Sequence, residues 1–253
     1  MLYDNHGRKI NYVRLAVTDR CNLRCYYCMP ESGIKYVNRK DLLSFEEMER
    51  LMRIFSELGI DKLRITGGEP FVRKGIMEFL EKMASIEKID QIHSTTNGTF
   101  TKDYVHDLEE LGIKSVNLSL DSLDKERFFQ ITRRDMFDKV METFHELLES
   151  TIRVKINMVV MQDRNIEDIK SMLELTKEND VAVRFIEEMP FNGSGGNPTF
   201  WPMHKILDHI RSFYPELIKL QDPAASTSVN YQIPGHKGTF GIIAAFSRTF
   251  CGT

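Results

Sequence analysis

The 253-residue chain lacks the features that would send it to a membrane or to the cell exterior. No apolar run approaches the roughly 18 residues a membrane span needs, and Met1–Lys9 is polar, without the apolar core of an export signal. An excess of one charge is missing too. Lys and Arg number 34 against 37 Asp and Glu, and the formal net charge of −3 gives no electrostatic argument for nucleic acid or a lipid surface as partner. Tryptophan occurs once, at Trp201, in a proline-flanked segment expected to pack the C-terminal region. The seven histidines show no metal-ligand spacing and read as surface or loop residues. Cysteines number four, and three of them are crowded into one loop. Such clustering, without an export signal, points to a reducing compartment, the cytoplasm. Hydrophobic residues, at 42%, suffice for a sizeable core, and the length suits one large α/β domain with a small appendage.

What is present is concentrated in Thr18–Pro30, TDRCNLRCYYCMP, where Cys21, Cys25 and Cys28 follow the spacing C-x3-C-x2-C. Thiolates are soft ligands suited to iron–sulfur clusters, zinc or copper(I). A disulfide fits poorly, because the local number is odd and the cysteines are crowded. Structural zinc is the competing reading. Its usual patterns are paired C-x2-C motifs, or cysteines followed by spaced histidines, and neither occurs here. A 4Fe–4S cluster normally takes four cysteines, so three would leave one iron open to bind something else.

Alternation and amphipathic spacing divide the chain further. Tyr12–Val17, Lys62–Thr66, Ile89–Thr95, Ser115–Leu120, Arg153–Val160 and Val181–Glu187 read as strands. Between them lie helices at Ile76–Ile86, Asp103–Leu111, Met136–Ser150 and Ile166–Glu178, and one opened by Ser44 with a capping box to Glu47 and closed at Gly59. Regular βα alternation implies a parallel sheet with right-handed crossovers. Six units suggest an incomplete (β/α)6 TIM-like barrel, with a doubly wound open sheet as the alternative. After Glu187 the rhythm changes to a loop at Phe191–Thr199 and a helix at Met203–Phe213. Strands at Val229–Ile233 and Thr239–Phe246 then form a small antiparallel β addition expected to cover part of the sheet. The expected division is residues 1–190 and 191–253. The chain stops at Phe250-Cys251-Gly252-Thr253 without a polar tail and is expected to be C-terminally truncated.

Strand side chains alternate between faces. Val13, Leu15 and Val17 oppose Arg14; Leu63 and Ile65 oppose Arg64; Val154, Ile156 and Met158 oppose Lys155. The apolar faces are expected to meet the helices, leaving cations on the other side. Such cations either pair with internal carboxylates, reach solvent, or hold an anion, for which polyphosphate is the natural candidate. The irregular Ile89–Thr95 segment leaves Thr95 and Thr96 equally placed to join them. Arg64-Ile65-Thr66-Gly67-Gly68-Glu69-Pro70 ends the second strand in a turn whose glycines let another group approach the backbone.

In this order the cysteine loop and the Gly67-Gly68-Glu69-Pro70 turn resemble the radical S-adenosylmethionine (SAM) enzymes. Together with Thr95–Gly98, Ser119–Asp121, Val154–Asn157, Phe185–Met189 and Phe250–Cys251, they resemble the GTP 3′,8-cyclase family of molybdenum cofactor biosynthesis along essentially the whole chain. The resemblance implies a radical SAM barrel in which Cys21, Cys25 and Cys28 hold a 4Fe–4S cluster. Tyr27, Gly67, Gly68, Glu69, Ser119 and Met189 would contact SAM, and Arg14, Arg64, Thr95 and Lys155 would contact GTP. Cys251 would be the first ligand of a second 4Fe–4S cluster, expected only in the complete protein because its other ligands fall beyond Thr253. No side chain is singled out as catalytic, since cluster and SAM carry the chemistry. The resemblance also implies an external electron donor, a downstream pterin-forming enzyme, and a homodimer as one assembly state. A radical SAM enzyme acting on a peptide, and a zinc-stabilised binding module without activity, are the alternatives.

Overall fold

The computed structural model describes residues 2–30, 32–189, 200–222 and 226–247. The loop expected at 191–199 and Cys251 lie outside them. The chain opens with β1 (Leu2–Tyr3), β2 (Lys9–Ile10), β3 (Tyr12–Ala16), α1 (Phe45–Glu57), β4 (Lys62–Thr66) and α2 (Ile76–Ala84). It continues through β5 (Gln91–Thr96), α3 (Val105–Glu110), β6 (Ser115–Ser119), α4 (Lys125–Thr132), α5 (Phe137–Glu149), β7 (Arg153–Val160), α6 (Asp168–Glu178) and β8 (Ala182–Glu187). It closes with α7 (Met203–Phe213), β9 (Ile218–Lys219), β10 (Val229–Gln232) and β11 (Thr239–Ile243). The α/β class and the alternation of six strands with helices, β3 to β8, are as the spacing predicts. None of the described helices is long and apolar enough to cross a membrane.

The chain divides into two compact units. The first comprises Met1–Asn22, Ile34–Asn117 and Asp138–Arg153. Here β3, β4 and β5 pair in parallel, with Arg14 opposite Arg64 and Arg64 opposite His93. The apolar faces carry Leu63, Ile65 and Ile92, all buried, and Met52, Phe79, Leu80 and Met83 add to the core. Each fully buried side chain of this kind contributes about 1.5–3 kcal/mol. The α1 start is fixed by the anticipated box, with Ser44 Oγ accepting from Glu47 N and the Glu47 carboxylate accepting from Ser44 N. Phe45 then stacks on Phe79 with ring centres 4.5 Å apart.

The second unit comprises Leu23–Gly33, Leu118–Phe137 and Val154–Thr253. Here β7, β8 and β11 are parallel neighbours, β10 pairs antiparallel with β11, and β9 with β10. The C-terminal strands therefore extend the sheet instead of covering it. Phe240, Gly241 and Ile242 are buried on both faces of β11, as in a central strand. At the end of β8 the Glu187 carboxylate, 1% exposed, gathers four donors. They are Met203 N at 2.5 Å, Phe246 N at 2.9 Å, Ser247 N at 2.8 Å and Ser247 Oγ at 2.5 Å.

Two local features depart from expectation. The Asp103–Leu111 segment opens as a 3-10 turn, Lys102–Tyr104, before α3. An eight-residue helix, α4, occupies a stretch to which the sequence pattern assigned no element; Asp124 caps it by accepting from Arg127 N at 2.8 Å.

Candidate active site

In the first unit, the cysteine loop, the glycine turn and Thr95–Gly98 leave the C-terminal ends of three neighbouring parallel strands, where α/β folds place ligands. The first two stay paired beyond the strands: Val17 N donates to Thr66 O at 2.8 Å, Gly68 N to Thr18 O at 2.6 Å, and Glu69 N to Arg20 O at 2.8 Å. This contact dictates both glycines. A Cβ on Gly67 would lie 2.4 Å from Thr18 O, and one on Gly68 would lie 2.2 Å from Arg20 O. Gly67 also has φ +149°, which side chains rarely adopt. The group that comes close to these glycines is the backbone of the cysteine loop itself.

Glu69, fully buried, turns its carboxyl inward. Oε1 accepts from Thr96 Oγ1 at 2.8 Å and Phe71 N at 3.1 Å, and Oε2 from Asn97 N at 2.6 Å. Burial outweighs these donors and pushes the carboxyl up to about 7. Glu69 is thus a keystone of the turn, its carboxyl already engaged. Asn97 continues the network, donating from Nδ2 to Asn22 Oδ1 at 2.9 Å and Cys21 Sγ at 3.6 Å.

Register also separates Thr95 from Thr96. In a parallel sheet paired residues face the same side, so Tyr12, Arg14, Lys62, Arg64, His93 and Thr95 share one face. Thr96 lies on the other, against Glu69. Arg64, 9% exposed, donates to Tyr12 Oη at 2.9 Å and the Ser94 carbonyl at 3.1 Å, both neutral acceptors. Arg14 is exposed, with its guanidinium 5.7 Å from the Tyr12 ring centre. His93, read from sequence as a surface or loop residue, is buried on β5 with Nδ1 2.8 Å from Ser115 Oγ.

In the second unit, Cys28 N and Met29 N both bond the Cys25 carbonyl, at 3.0 and 2.9 Å, closing a tight turn. The end of α4 braces that turn, with Arg24 N donating to Thr132 O and Tyr26 N to Ile131 O, each at 2.9 Å. Arg133, the residue after α4, has φ +55°, and its guanidinium donates to the carbonyls of Arg24 (3.2 Å) and Met29 (3.1 Å). The side chain thus clamps the main chain on both sides of the turn. Arg164 lies 3.8 Å above the Tyr26 ring.

Tyr27 Oη donates to Asp121 Oδ2 at 2.8 Å, and Asp121 Oδ1 accepts from Val159 N at 2.8 Å. Burial pushes the Asp121 carboxyl up to about 6, and burial with the neighbouring Asp121 pushes the Tyr27 phenol up. Ser119, half-buried, ends β6. Lys155 and Asn157 share a face with Arg184, a further cation not singled out from the sequence although Val183 and Phe185 flank it in clean alternation. Met189 is 43% exposed.

Cys21, Cys25 and Cys28 form no disulfide. Among the described residues no three His, Cys, Asp or Glu side chains are gathered closely enough to hold a metal. The fit to a cluster lies in the donor set: three thiols on one loop, with an amide N–H aimed at one sulfur.

Residues 15–176 match the Radical SAM superfamily model, and residues 181–253 match the model for Molybdenum Cofactor Synthesis C. The GTP 3′,8-cyclase of Syntrophomonas wolfei is 42% identical over 259 residues, covering 99% of this chain and 78% of the relative. Molybdenum cofactor biosynthesis protein 1 of Bos taurus is 40% identical over 254 residues, and there this chain spans all of itself but 40% of the relative. Among solved structures, Streptococcus suis SuiB bound to S-adenosylmethionine superposes with a TM-score of 0.65 at 18% identity, covering 81% of this chain and 48% of that one. At that identity the likeness is one of fold.

Proposed function

Because this chain belongs to the radical SAM superfamily and, within it, to the GTP 3′,8-cyclase family, we propose that it carries the SAM- and GTP-binding parts of a cyclase that joins C3′ of GTP to C8. The observation that carries the substrate assignment is the shared face of Arg14, Arg64 and Thr95. Two guanidinium groups on directly paired strand positions repel one another. A triphosphate between them turns that repulsion into charge-assisted hydrogen bonds. Lys155, on its own strand, is assigned the same task.

Cys21, Cys25 and Cys28 would hold a 4Fe–4S cluster. When bound, that cluster and SAM supply a one-electron source of a hydrogen-abstracting carbon radical. Tyr27, Gly67, Gly68, Glu69, Ser119 and Met189 are assigned to SAM. For Glu69 the carboxyl serves to fix the turn. The chain's own contribution is to hold the sugar in a reactive orientation and to exclude water. Residues 1–190 form the radical SAM portion in this reading. Residues 191–253 begin the auxiliary region, with Cys251 as the first ligand of a second cluster. An external electron donor, a downstream pterin-forming enzyme, a homodimeric assembly and a cytoplasmic location complete the proposal.

The test is anaerobic reconstitution followed by iron and sulfide analysis and by EPR with and without SAM. About four irons per chain and a spectrum perturbed by SAM are expected. Zinc without iron would overturn the reading. Arg64→Ala is expected to weaken GTP binding at least about tenfold while the SAM-perturbed spectrum persists. Unchanged GTP binding would remove Arg64 from the substrate site.

A further inference from the structure

The hydrogen bonds around Asn97 fix the orientation of its amide without ambiguity. Thr99 N donates to Asn97 Oδ1 at 3.0 Å, and Thr99 Oγ1 donates to the same atom at 2.7 Å. A backbone N–H can only donate, so that atom is the amide oxygen and Nδ2 lies on the opposite side. Nδ2 has two protons and finds two acceptors, Asn22 Oδ1 at 2.9 Å and Cys21 Sγ at 3.6 Å. Asn22 Nδ2 in turn donates to Thr99 Oγ1 at 2.8 Å, closing a ring of three side chains.

The ring is anchored on both flanks. Glu69 Oε2 holds Asn97 N at 2.6 Å, and Gly98 is held through its N–H by Thr96 Oγ1 at 3.0 Å and through its carbonyl by Thr143 Oγ1 at 2.6 Å. Asn97 itself is 7% exposed. A donor so confined keeps its direction whether or not the sulfur carries extra charge.

We propose that the Asn97 amide sets the reduction potential of the cluster by its N–H···S hydrogen bond to Cys21. The inference rests on the reading that Cys21 is a cluster ligand. The physics is one of differential stabilisation. Reduction adds negative charge that spreads onto the ligand sulfurs, and an N–H donor stabilises the more negative state more than the less negative one. Hydrogen bonds to sulfur are among the established determinants of iron–sulfur potentials. Asn97 is thus a positioning and tuning residue, acting through Cys21 and not on substrate.

The experiment is a redox titration of the anaerobically reconstituted full chain, followed by the EPR signal of the reduced cluster. Wild type is compared with Asn97→Ala and with Asn97→Asp, which keeps an acceptor for Thr99 but loses the donor. Both variants are expected to lower the reduced-to-oxidised ratio at a fixed potential by roughly tenfold, equivalent to 59 mV for a one-electron couple. Wild-type protein labelled with 15N at asparagine side-chain amides supplies a second readout that needs no variant to fold. A nitrogen hyperfine coupling to the reduced cluster is expected. An unaltered potential in either cluster-bearing variant, or the absence of that coupling, would overturn the proposal while leaving the cluster assignment standing. A preparation that binds zinc and no iron would instead overturn the cluster assignment and this proposal with it.

Discussion

The two ends of the cysteine loop are held by different means. Around Cys21, in the first unit, the restraint is a ring of side-chain amides and a hydroxyl that ends on the sulfur. Around Cys25 and Cys28, in the second unit, the restraint acts on the main chain: α4 lends its terminal carbonyls, and Arg133 ties down the carbonyls on either side of Cys25 and Cys28. One end is restrained at a sulfur atom, where a donor changes electron density. The other is restrained in its path, which fixes where the thiol side chains start from. Restraint of a sulfur and restraint of the backbone thus fall on separate stretches of one short loop.

The largest expected break in this contrast is Glu69→Ala. It strips three buried donors of their acceptor and should cost about 3 kcal/mol, read by denaturant unfolding. The same carboxyl makes stability pH-dependent. Its folded value is raised from 4.5 to about 7, so the proton is bound more tightly in the folded state. The contribution is complete below pH 4.5 and is lost as pH rises through about 7. A stability profile of Glu69→Gln should lack that decline. A decline of equal size in the variant would assign it to other groups.

Next in size is Arg133→Ala, which removes both carbonyl clamps and should cost about 2 kcal/mol. Arg133→Gly removes the same clamps but relieves the left-handed backbone, so it should be roughly 1 kcal/mol less damaging than alanine. Equal losses would show that the guanidinium, and not the backbone, carries the whole effect. The smallest effect belongs to Ser44→Ala, at about 1 kcal/mol from the lost cap of α1. Its redox titration should overlay that of wild type, marking the difference between destabilising the first unit and detuning the loop.

Much of the framework was legible where one pattern dominated. Lys62–Thr66, Arg153–Val160 and Met203–Phe213 keep their expected bounds, because strict alternation or a clear apolar stripe left no competing reading. The Ser44–Glu47 box likewise announced α1. By contrast α4 turns only Phe128, Ile131 and Thr132 inward while Phe129 is 50% exposed, too short a sample for a helical period. The partners of the cysteine loop depend on pairings far apart in sequence. Arg133 meets Arg24 across 109 residues, and Asn97 meets Cys21 across 76. Thr95 and Thr96 were separable only once Arg64 was seen opposite His93, since register is a relation between strands. Motif spacing singled out the three cysteines; what restrains them came from tertiary structure.

Glu187 imposes an order on synthesis. A nascent chain that has emerged only as far as the end of β8 carries this carboxylate without any of the four donors that later surround it. Met203 follows 16 residues later, and Phe246 and Ser247 follow after 59 and 60. Domains tend to fold as they leave the ribosome. Here the end of β8 waits in contact with water until β11 pairs beside it and the residues after β11 bring three of the four donors.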